Sequence, residues 1–293
     1  MYIKRRRERS SSVTCVLNLP VGWWGLCSSS SSSSSSSTQE LREKDDLRQD
    51  RSMAREWELI DSLDLDKTDR YSYDRIADPS KDDDEHYPRL IVENRCYMSS
   101  SFRKLHLEVA WRQDGMQIAH IVHYPKYAKA ETPILCLDLV AFNGQVTLAI
   151  VDATPVRLDR ELPELYQQML GALQQRHGMA LRRSLPEWGQ EIFSDYCVAM
   201  RPKSEEELEK FIEYVADLTA FHLRSAVLAE THPVASTVQE EALAAHARYS
   251  DRQLKNEKTR RVLINGWGEE IADRYMKEVM FDHEIAVQKV VGQ

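Results

Sequence analysis

Three ionisable residues, Glu108, His120 and Asp138, stand inside segments that are otherwise apolar enough to form β-strands. Asp138 lies between Leu137 and Leu139, where desolvation would disfavour the charged carboxylate and raise its pKa. A carboxyl tuned in this way can donate protons near neutral pH, and a neighbouring imidazole can share them. The residue types therefore predict acid–base chemistry, provided that the fold brings them together.

The turn around Asp114-Gly115 decides whether two of these residues meet, because the segment FRKLHLEVAWRQDGMQIAHIVHY predicts a β-hairpin there. A two-residue turn would set His120 opposite Val109, with Glu108 on the other face. A three-residue loop with Gly115 last would set His120 opposite Glu108 on one face. Glycine in the left-handed conformation at the third position is the common three-residue loop, so we predict this second register.

A second hairpin is indicated by Asn143-Gly144 between two apolar runs, Ile134–Phe142 and Gln145–Val151. Asn-Gly is the strongest short-range hairpin signal, because both turn residues need positive φ. Strand side chains alternate between faces, so a two-residue turn places Thr147 on the face of Asp138. If the hairpins share a sheet, Asp138 joins the first pair. The predicted pairs are Phe142 with Gln145, Val140 with Thr147, and Asp138 with Ala149.

Ordinary structural roles would also explain these residues. An aspartate in an apolar strand can cap a loop or pair with an arginine, and His120 and His123 can be plain strand residues. These two histidines point to opposite faces of a strand, which argues against a metal site. His222 lies on the apolar stripe of a predicted helix and belongs to the core rather than to a ligand site.

The cysteines are isolated, and no spacing suits zinc or an iron–sulfur cluster, so we expect no metal and free thiols in a reducing compartment. The sequence also lacks a glycine-rich nucleotide loop of the GxGxxG or Walker type. The cysteines are Cys15, Cys27, Cys96, Cys136 and Cys197.

Helical signals mostly follow the two hairpins. Strands gathered before helices predict an α+β fold, with one antiparallel sheet and helices outside it. Capping boxes begin two of the helices, and two glycines separate the last helix from the one before it. The predicted elements are a strand over Arg89–Tyr97, a helix from Pro163 to about Arg176, a turn at Leu185–Gly189, a strand over Ile192–Met200, a helix after Ser204 with Glu207, a helix from Ser236 with Gln239 towards Leu263, and a helix from Glu269 to about Phe281.

Composition divides the chain into residues 1–37, 38–88 and 89–293. Residues 1–37 are basic and serine-rich, which favours an organelle transit peptide, with the plastid stroma as the expected location; a secretory or bipartite signal and a disordered tail are the alternatives. Residues 38–88 form a charged extension. Residues 1–37 hold five basic side chains and one acidic one, a net charge of +4. Because the whole chain has a net charge of −8, residues 38–293 carry −12, which argues against nucleic acid as the main partner. No segment predicts a membrane span.

Several long motifs resemble the ferredoxin-dependent bilin reductases, in the right order over roughly residues 89–282. The family has an α/β/α sandwich fold around a single central antiparallel β-sheet, flanked by helices on both faces, in agreement with the pattern above. The motifs are VENRCY, FRKLHLEVA, QIAHIVHYP, LDLVAFNGQVTLAIVDATPV, LPEWGQEIFSDYCVAMRP, KNEKTRRVL and RYMKEVMFD.

The resemblance implies an enzyme that reduces biliverdin IXα without a bound cofactor, using single electrons from an external [2Fe-2S] ferredoxin while the protein supplies protons. It implies that Asp138 is the central proton donor, that His120 shares its proton and that His106 supports them. Glu108 matches the acid that protonates the D-ring vinyl group. Arg183 and Lys258 match cations that hold the propionates, where plain surface charge is the alternative. Thr147, Asn256 and Thr259 complete the implied substrate-binding set.

The subfamily is indicated by three positions. Relatives that form phycoerythrobilin or phytochromobilin typically carry a second Asp where this chain has Asn256, and many have Asn in place of His120. Retention of His120 and Glu108 therefore favours phycocyanobilin, with the D-ring reduced before the A-ring. Alternatives are another bilin product or a non-catalytic bilin carrier. We expect a monomer whose acidic body docks acidic ferredoxin through a local basic patch, with candidates Arg182, Arg183, Lys255, Arg260 and Arg261.

Overall fold

An antiparallel sheet forms the centre of the protein. The computed structural model describes residues 90–112, 114–180, 183–233 and 236–284, together with the backbone of 66–67 and 75–76. In these residues the strands run in the order β1-β3-β4-β5-β6-β7-β8, and β2 also pairs with β3. The strands are β1 Asp66–Lys67, β2 Arg75–Ile76, β3 Leu90–Met98, β4 Phe102–Arg112, β5 Met116–Pro125, β6 Ile134–Phe142, β7 Gln145–Thr154 and β8 Val198–Met200.

The longer helices follow β7 in the sequence. Ser204 and Ser236 each accept a hydrogen bond from a backbone N–H three residues ahead, so both predicted serine N-caps are confirmed. The return bond of the second predicted capping box is not formed, because Gln239 Oε1 has no hydrogen-bond partner among the described residues. The helices are α1 Glu164–His177, α2 Glu187–Gln190, α3 Glu205–Leu228, α4 Thr237–Gln253, α5 Glu257–Trp267 and α6 Glu269–Tyr275, which continues as a π-helix over Met276–Met280; a 3₁₀ turn spans Tyr127–Lys129.

Helices cover both faces of the sheet. On one face, Val92 of β3 and Val122 of β5 belong to a single apolar core with Tyr249 of α4 and Trp267 of α5. On the other face, the His123 ring lies 5.6 Å from the ring of His222 in α3. The predicted α/β/α sandwich is therefore confirmed, and so is the core position of His222, which is fully buried. No helix in the described part of the chain is long and apolar enough to span a membrane.

The two hairpins turn as predicted and touch at their tips. β4 ends at Arg112 and β5 begins at Met116, which leaves the three-residue loop, with Gly115 at φ +89°. Asn143 and Gly144 have φ +48° and +77°. The Asn143 N–H donates to the Gly115 carbonyl at 3.0 Å. The positive φ of Gly115 favours glycine. A Cβ there would also lie 2.2 Å from Asn143 Oδ1, so the Asn143 side chain would have to move aside.

A β-bulge makes part of the second register prediction wrong. Phe142 pairs with Gln145 as expected, but the register shifts between Val140 and Ala141. Val140 therefore pairs with Leu148 and not Thr147. One extra residue on a bulged strand offsets every pair beyond it by one position. Asp138 accordingly pairs with Ile150 and not Ala149.

Three other predicted elements differ from the structure. The strand predicted over 192–200 is only β8, because Ser194 gives its backbone N–H and hydroxyl to the Asp152 carboxylate instead of a neighbouring strand. The helix predicted to run on towards Leu263 stops at Gln253, and Asn256 caps a new helix, α5. The turn predicted at 185–189 contains the short helix α2.

Candidate active site

Glu108, His120 and Asp138 form one row across three neighbouring strands. Glu108 of β4 is the registered partner of His120 of β5, which is the registered partner of Asp138 of β6. Directly paired residues of antiparallel strands project to the same face of the sheet. The prediction that the two hairpins bring these groups together is confirmed. Asn94 of β3 extends the row on the far side of Glu108.

A short hydrogen bond joins two members of the row. His120 Nδ1 lies 2.5 Å from Asp138 Oδ1. Burial alone would lower the pKa of His120, but the Asp138 carboxylate and its hydrogen bond outweigh burial, and the pKa is raised. The pair therefore holds a proton between ring and carboxylate. The His120 side chain is 4% exposed and that of Asp138 29%, so the desolvation predicted for Asp138 is incomplete and a ligand can reach its carboxyl group.

Glu108 is paired with His120 across the two strands, but its carboxyl group forms its hydrogen bond with a helix residue instead. Its Oε2 lies 2.7 Å from the hydroxyl of Tyr275, the last residue of α6. Burial raises the pKa of Glu108, while the nearby His120 charge and the Tyr275 hydroxyl offset only part of that effect. Burial therefore favours the protonated form of Glu108, beside the pair formed by His120 and Asp138.

His106 completes a set of four ionisable groups and behaves oppositely to His120. Its Nε2 lies 2.7 Å from Asn94 Oδ1, and its ring meets the His120 ring edge-on at 5.9 Å between centroids. Burial, and then the charges of Lys104 and His120, hold the pKa of His106 well below its usual value, so this ring is neutral. His106 Nδ1 and His120 Nε2 are buried without a hydrogen-bond partner among the described residues.

The C-terminal segment that carries Tyr275 is tied to β4 by a buried charge. Lys104 Nζ donates to Asp282 Oδ1 at 2.7 Å and to the Val279 carbonyl at 2.7 Å. Phe281 in the same segment places its ring 6.2 Å from that of His120. These contacts fix the π-helix and its flanks against the strand that bears Glu108.

Asn94 and Tyr275 were not among the predicted site residues. Both lie in motifs that carry the family resemblance, VENRCY and RYMKEVMFD, and that is the only signal that could have identified them. They contact each other across 181 positions of sequence, at 2.7 Å between the Tyr275 hydroxyl and Asn94 Oδ1. No local spacing rule predicts a contact over such a separation.

Two predicted substrate-binding residues lie together at β7, near the bulge. The exposed Arg183 donates through Nη1 to the Thr147 carbonyl at 3.1 Å. The Thr147 hydroxyl donates to the Val140 carbonyl at 3.1 Å. Half-buried apolar side chains lie on the same sheet face as Asp138, towards the hairpin tips and on the facing helix. They are Ile118, Val140, Leu148, Val262 and Ile264.

The remaining predicted binding residues lie at the start of α5. Asn256 Oδ1 accepts a hydrogen bond from the Thr259 N–H at 3.4 Å, so these two cap the helix. Lys258 is exposed in the first turn. Within the described residues, no hydrogen bond joins this group to Glu108, His120 or Asp138.

The predicted ferredoxin patch is only partly available. Arg260 donates to Asp273 at 2.7 Å and 2.9 Å and to Glu269 at 2.6 Å, which offsets its charge. Arg183, Lys255 and Arg261 are exposed. Arg182 lies outside the described residues, as do the predicted segments 1–37 and nearly all of 38–88.

Residue types that commonly ligate metals do not cluster in the described part of the chain. No cluster of three or more His, Cys, Asp or Glu side chains there could hold a metal ion. Cys96, Cys136 and Cys197 are all buried, and Cys136 and Cys197 are free thiols. Burial raises the pKa of the Cys136 and Cys197 thiols, which keeps both protonated and unreactive.

Comparison with known proteins identifies the family. The family model of ferredoxin-dependent bilin reductases matches residues 74–282. The phycocyanobilin:ferredoxin oxidoreductases of Trichodesmium erythraeum and Synechococcus elongatus are each 41% identical over 66% of this chain and 77% of the relative. Tomato phytochromobilin synthase, solved in complex with biliverdin, shares the fold with a TM-score of 0.59 at 15% identity, over 75% of this chain and 78% of that chain. The chain therefore belongs to the ferredoxin-dependent bilin reductase family.

Proposed function

We propose that this protein reduces biliverdin IXα to phycocyanobilin, the D-ring vinyl group first and the A-ring second, with electrons from reduced [2Fe-2S] ferredoxin. The observation that carries the proposal is the row of Glu108, His120 and Asp138 on one sheet face. Two relatives of 41% identity carry the name of this reaction. In a family whose electrons come from outside, the part left to the protein is to place the pigment and supply protons.

The geometry suits two separate proton-donating steps. Asp138 and His120 share one proton across 2.5 Å, and the partly exposed Asp138 carboxyl is the end that a ligand can reach. Glu108 can hold a second proton, since burial raises the pKa of its carboxyl group. Each electron that enters the bilin makes it a stronger base, so a proton held close by can follow the electron. Neutral His106, beside His120, completes the network and can accept a proton at Nδ1.

The substrate-binding part of the proposal rests on surface cations beside an apolar surface. Half-buried Ile118, Val140 and Leu148 offer the apolar area that a planar tetrapyrrole needs. Arg183, held near Thr147, suits a propionate bidentately, whereas Lys258 acts as a point charge. Both cations are exposed, so they can bind a carboxylate without first losing a buried partner.

A related bilin reductase with another product is the second candidate. The tomato phytochromobilin synthase shares the fold and was solved in complex with biliverdin. Against this candidate, the chain has Asn256 as a helix cap, where such relatives typically carry Asp, and His120 bonded to Asp138, where many of them carry Asn. A non-catalytic carrier would have no use for two proton-holding groups in one row.

An anaerobic assay with biliverdin, reduced ferredoxin and chromatography of the pigment tests the proposal. We expect phycocyanobilin as the final product. Phytochromobilin or phycoerythrobilin as the product would favour the second candidate. Biliverdin that binds but remains spectrally unchanged while electrons are supplied would show a carrier. Substitution of Asp114, exposed at a hairpin tip, by Asn is a matched control that should leave the product unchanged.

The cellular setting is part of the same proposal. The basic, serine-rich residues 1–37 would direct the protein to the plastid stroma, where ferredoxin is reduced. The protein would act as a monomer. A fusion of residues 1–37 to a fluorescent protein should enter plastids, and a cytosolic signal would contradict the location. Light scattering with the full chain would reveal an oligomer if one forms.

A further inference from the structure

The Tyr275 hydroxyl lies between two oxygens that compete for its single proton. It is 2.7 Å from Glu108 Oε2 and 2.7 Å from Asn94 Oδ1. Asn94 Oδ1 also lies 2.7 Å from His106 Nε2. All four side chains are buried. A hydroxyl has one hydrogen, so at any moment the Tyr275 hydroxyl can donate to only one of its two oxygen neighbours.

Counting protons assigns the state of Glu108. An amide oxygen can only accept, so His106 Nε2–H and the Tyr275 hydroxyl both donate to Asn94 Oδ1. The hydroxyl then has no proton left for Glu108, and a charged Glu108 would set two acceptors against each other at 2.7 Å. All the hydrogen bonds among these four side chains can form together only when Glu108 carries a proton and donates it to the Tyr275 oxygen. Burial, which raises the pKa of Glu108, agrees with this count.

We propose that Tyr275 is a positioning residue that serves Glu108 in both of its protonation states. In the resting site the hydroxyl accepts the Glu108 proton and donates its own to Asn94. When the carboxyl turns its O–H towards the substrate and gives up that proton, the hydroxyl rotates and donates to the carboxylate left behind. The proton moves from Glu108 to a bilin carbon that has been reduced by electrons from ferredoxin, Tyr275 keeps its own proton, and a proton from the solvent later restores Glu108.

The surroundings of Tyr275 hold its oxygen in place independently of Glu108. The Trp267 ring meets the Tyr275 ring edge-on at 5.2 Å between centroids. The chain beyond Tyr275 is anchored by Lys104 through Val279 and Asp282. The hydroxyl hydrogen can therefore rotate while the oxygen stays fixed. A residue held in this way can favour one proton position and then the other without a change in the backbone.

This inference deepens the proposed function and rests on it, so the test uses one readout with turnover and one without. Without turnover, the infrared carbonyl band of protonated Glu108, identified by its loss in Glu108→Gln, is titrated against pH in the full chain. In Tyr275→Phe the band should persist to higher pH than in wild type, because the carboxylate loses a donor. With biliverdin and ferredoxin, the same variant should lose D-ring reduction by about tenfold or more, since a hydrogen bond to a charged group contributes about 1.5–3 kcal/mol.

Two further variants guard against a merely structural effect. Tyr124→Phe removes another buried hydroxyl, which donates to the Met280 carbonyl at 2.8 Å, and should leave the band and the product unchanged. Asn94→Leu removes the competing acceptor, so Tyr275 donates to Glu108 more readily and the band should vanish at lower pH than in wild type. The titration pH of the Glu108 band should shift upwards in Tyr275→Phe and downwards in Asn94→Leu, which would show that Tyr275 and Asn94 both act on Glu108. If one variant folds poorly, the direction of the shift in the other still tests the role of Tyr275.

The two readouts separate the two possible failures. A band that titrates at the wild-type pH in both Tyr275→Phe and Asn94→Leu would overturn the role of Tyr275, whatever the product assay shows. Wild-type protein that reduces no biliverdin would overturn the proposed function instead. In that case the infrared titration would still decide whether Tyr275 controls the protonation of Glu108.

Discussion

Two histidines on strand β5 should respond to pH in opposite ways. His120 is bonded to Asp138, and its pKa is raised despite burial. His123 points to the opposite face, where it is 1% exposed and its two ring nitrogens have no hydrogen-bond partner among the described residues. Burial alone lowers the pKa of His123 to about 4. Folding therefore requires His123 to be neutral, and acid should destabilise the protein through it.

The size of this effect follows from the pKa difference. An unfolded histidine titrates near 6.5, and folded His123 titrates near 4, a difference of about 2.5. At about 1.36 kcal/mol for each unit of pKa, the contribution to the free energy of unfolding is about 3 kcal/mol. Between these values the unfolded chain binds a proton at His123 that the folded chain does not. The stabilisation is complete above pH 6.5 and is lost as pH falls towards 4.

Urea unfolding of wild type and His123→Phe at a series of pH values measures the effect directly. Phenylalanine fills a similar volume beside Phe102 and His222 and cannot be protonated. As pH falls from about 7 to 4, wild type should lose about 3 kcal/mol relative to the variant. A difference between the two proteins that stays constant over this range would show that His123 does not titrate near pH 4.

Asp152 on β7 provides an internal control of opposite sign. It is fully buried, and burial raises its pKa from 3.8 to about 6. The folded chain therefore binds a proton at Asp152 between these values, and the unfolded chain does not. Relative to Asp152→Asn, wild type should gain about 3 kcal/mol as pH falls from 6 towards 3.8. The same pH range thus separates the two residues by the direction of the change.

Three further predictions concern the site and its support. Glu108→Gln should still allow A-ring reduction but not D-ring vinyl reduction; chromatography showing the wild-type product would count against the role of Glu108. Asp282→Asn leaves Lys104 buried without its carboxylate and should lower the free energy of unfolding in urea by about 3–5 kcal/mol, whereas a change below about 1 kcal/mol would show that the pair does not anchor the C-terminal segment. Arg261→Glu should slow turnover with ferredoxin several-fold at low salt and less at high salt. Arg260→Gln should change the turnover rate with ferredoxin little, because Arg260 is already bonded to Asp273 and Glu269. Equal effects of the two substitutions would show that ferredoxin docks at another surface.

Local turn chemistry explains why the central row could be predicted from sequence. Gly115 and Asn143-Gly144 fix the lengths of two hairpin loops, and loop length fixes register. The pairing of Glu108 with His120 follows directly. The position of Asp138 beside them required only that consecutive hairpins lie next to each other in the sheet, which is the usual arrangement.

Features that depend on tertiary contacts could not be predicted. The bulge at Thr147 is one extra residue in a strand whose apolar pattern continues through it. The short β8 reflects Ser194 bonding to Asp152, a contact across 42 positions of sequence. Tyr275 meets Glu108 only because α6 packs on the sheet. Helix α4 stops at Gln253 because Asn256 begins a new helix, although Asn alone is a weak signal.

In the proposed function, Asp138, joined to His120, supplies protons to a bilin whose electrons come from ferredoxin. Anaerobic reduction of the biliverdin complex of Asp138→Asn, followed by optical and electron paramagnetic resonance spectra, tests this role of Asp138. We expect this variant to bind the pigment, accept an electron and stop at a radical or early intermediate. Wild-type turnover by Asp138→Asn, with phycocyanobilin as its product, would show that Asp138 is not the proton donor.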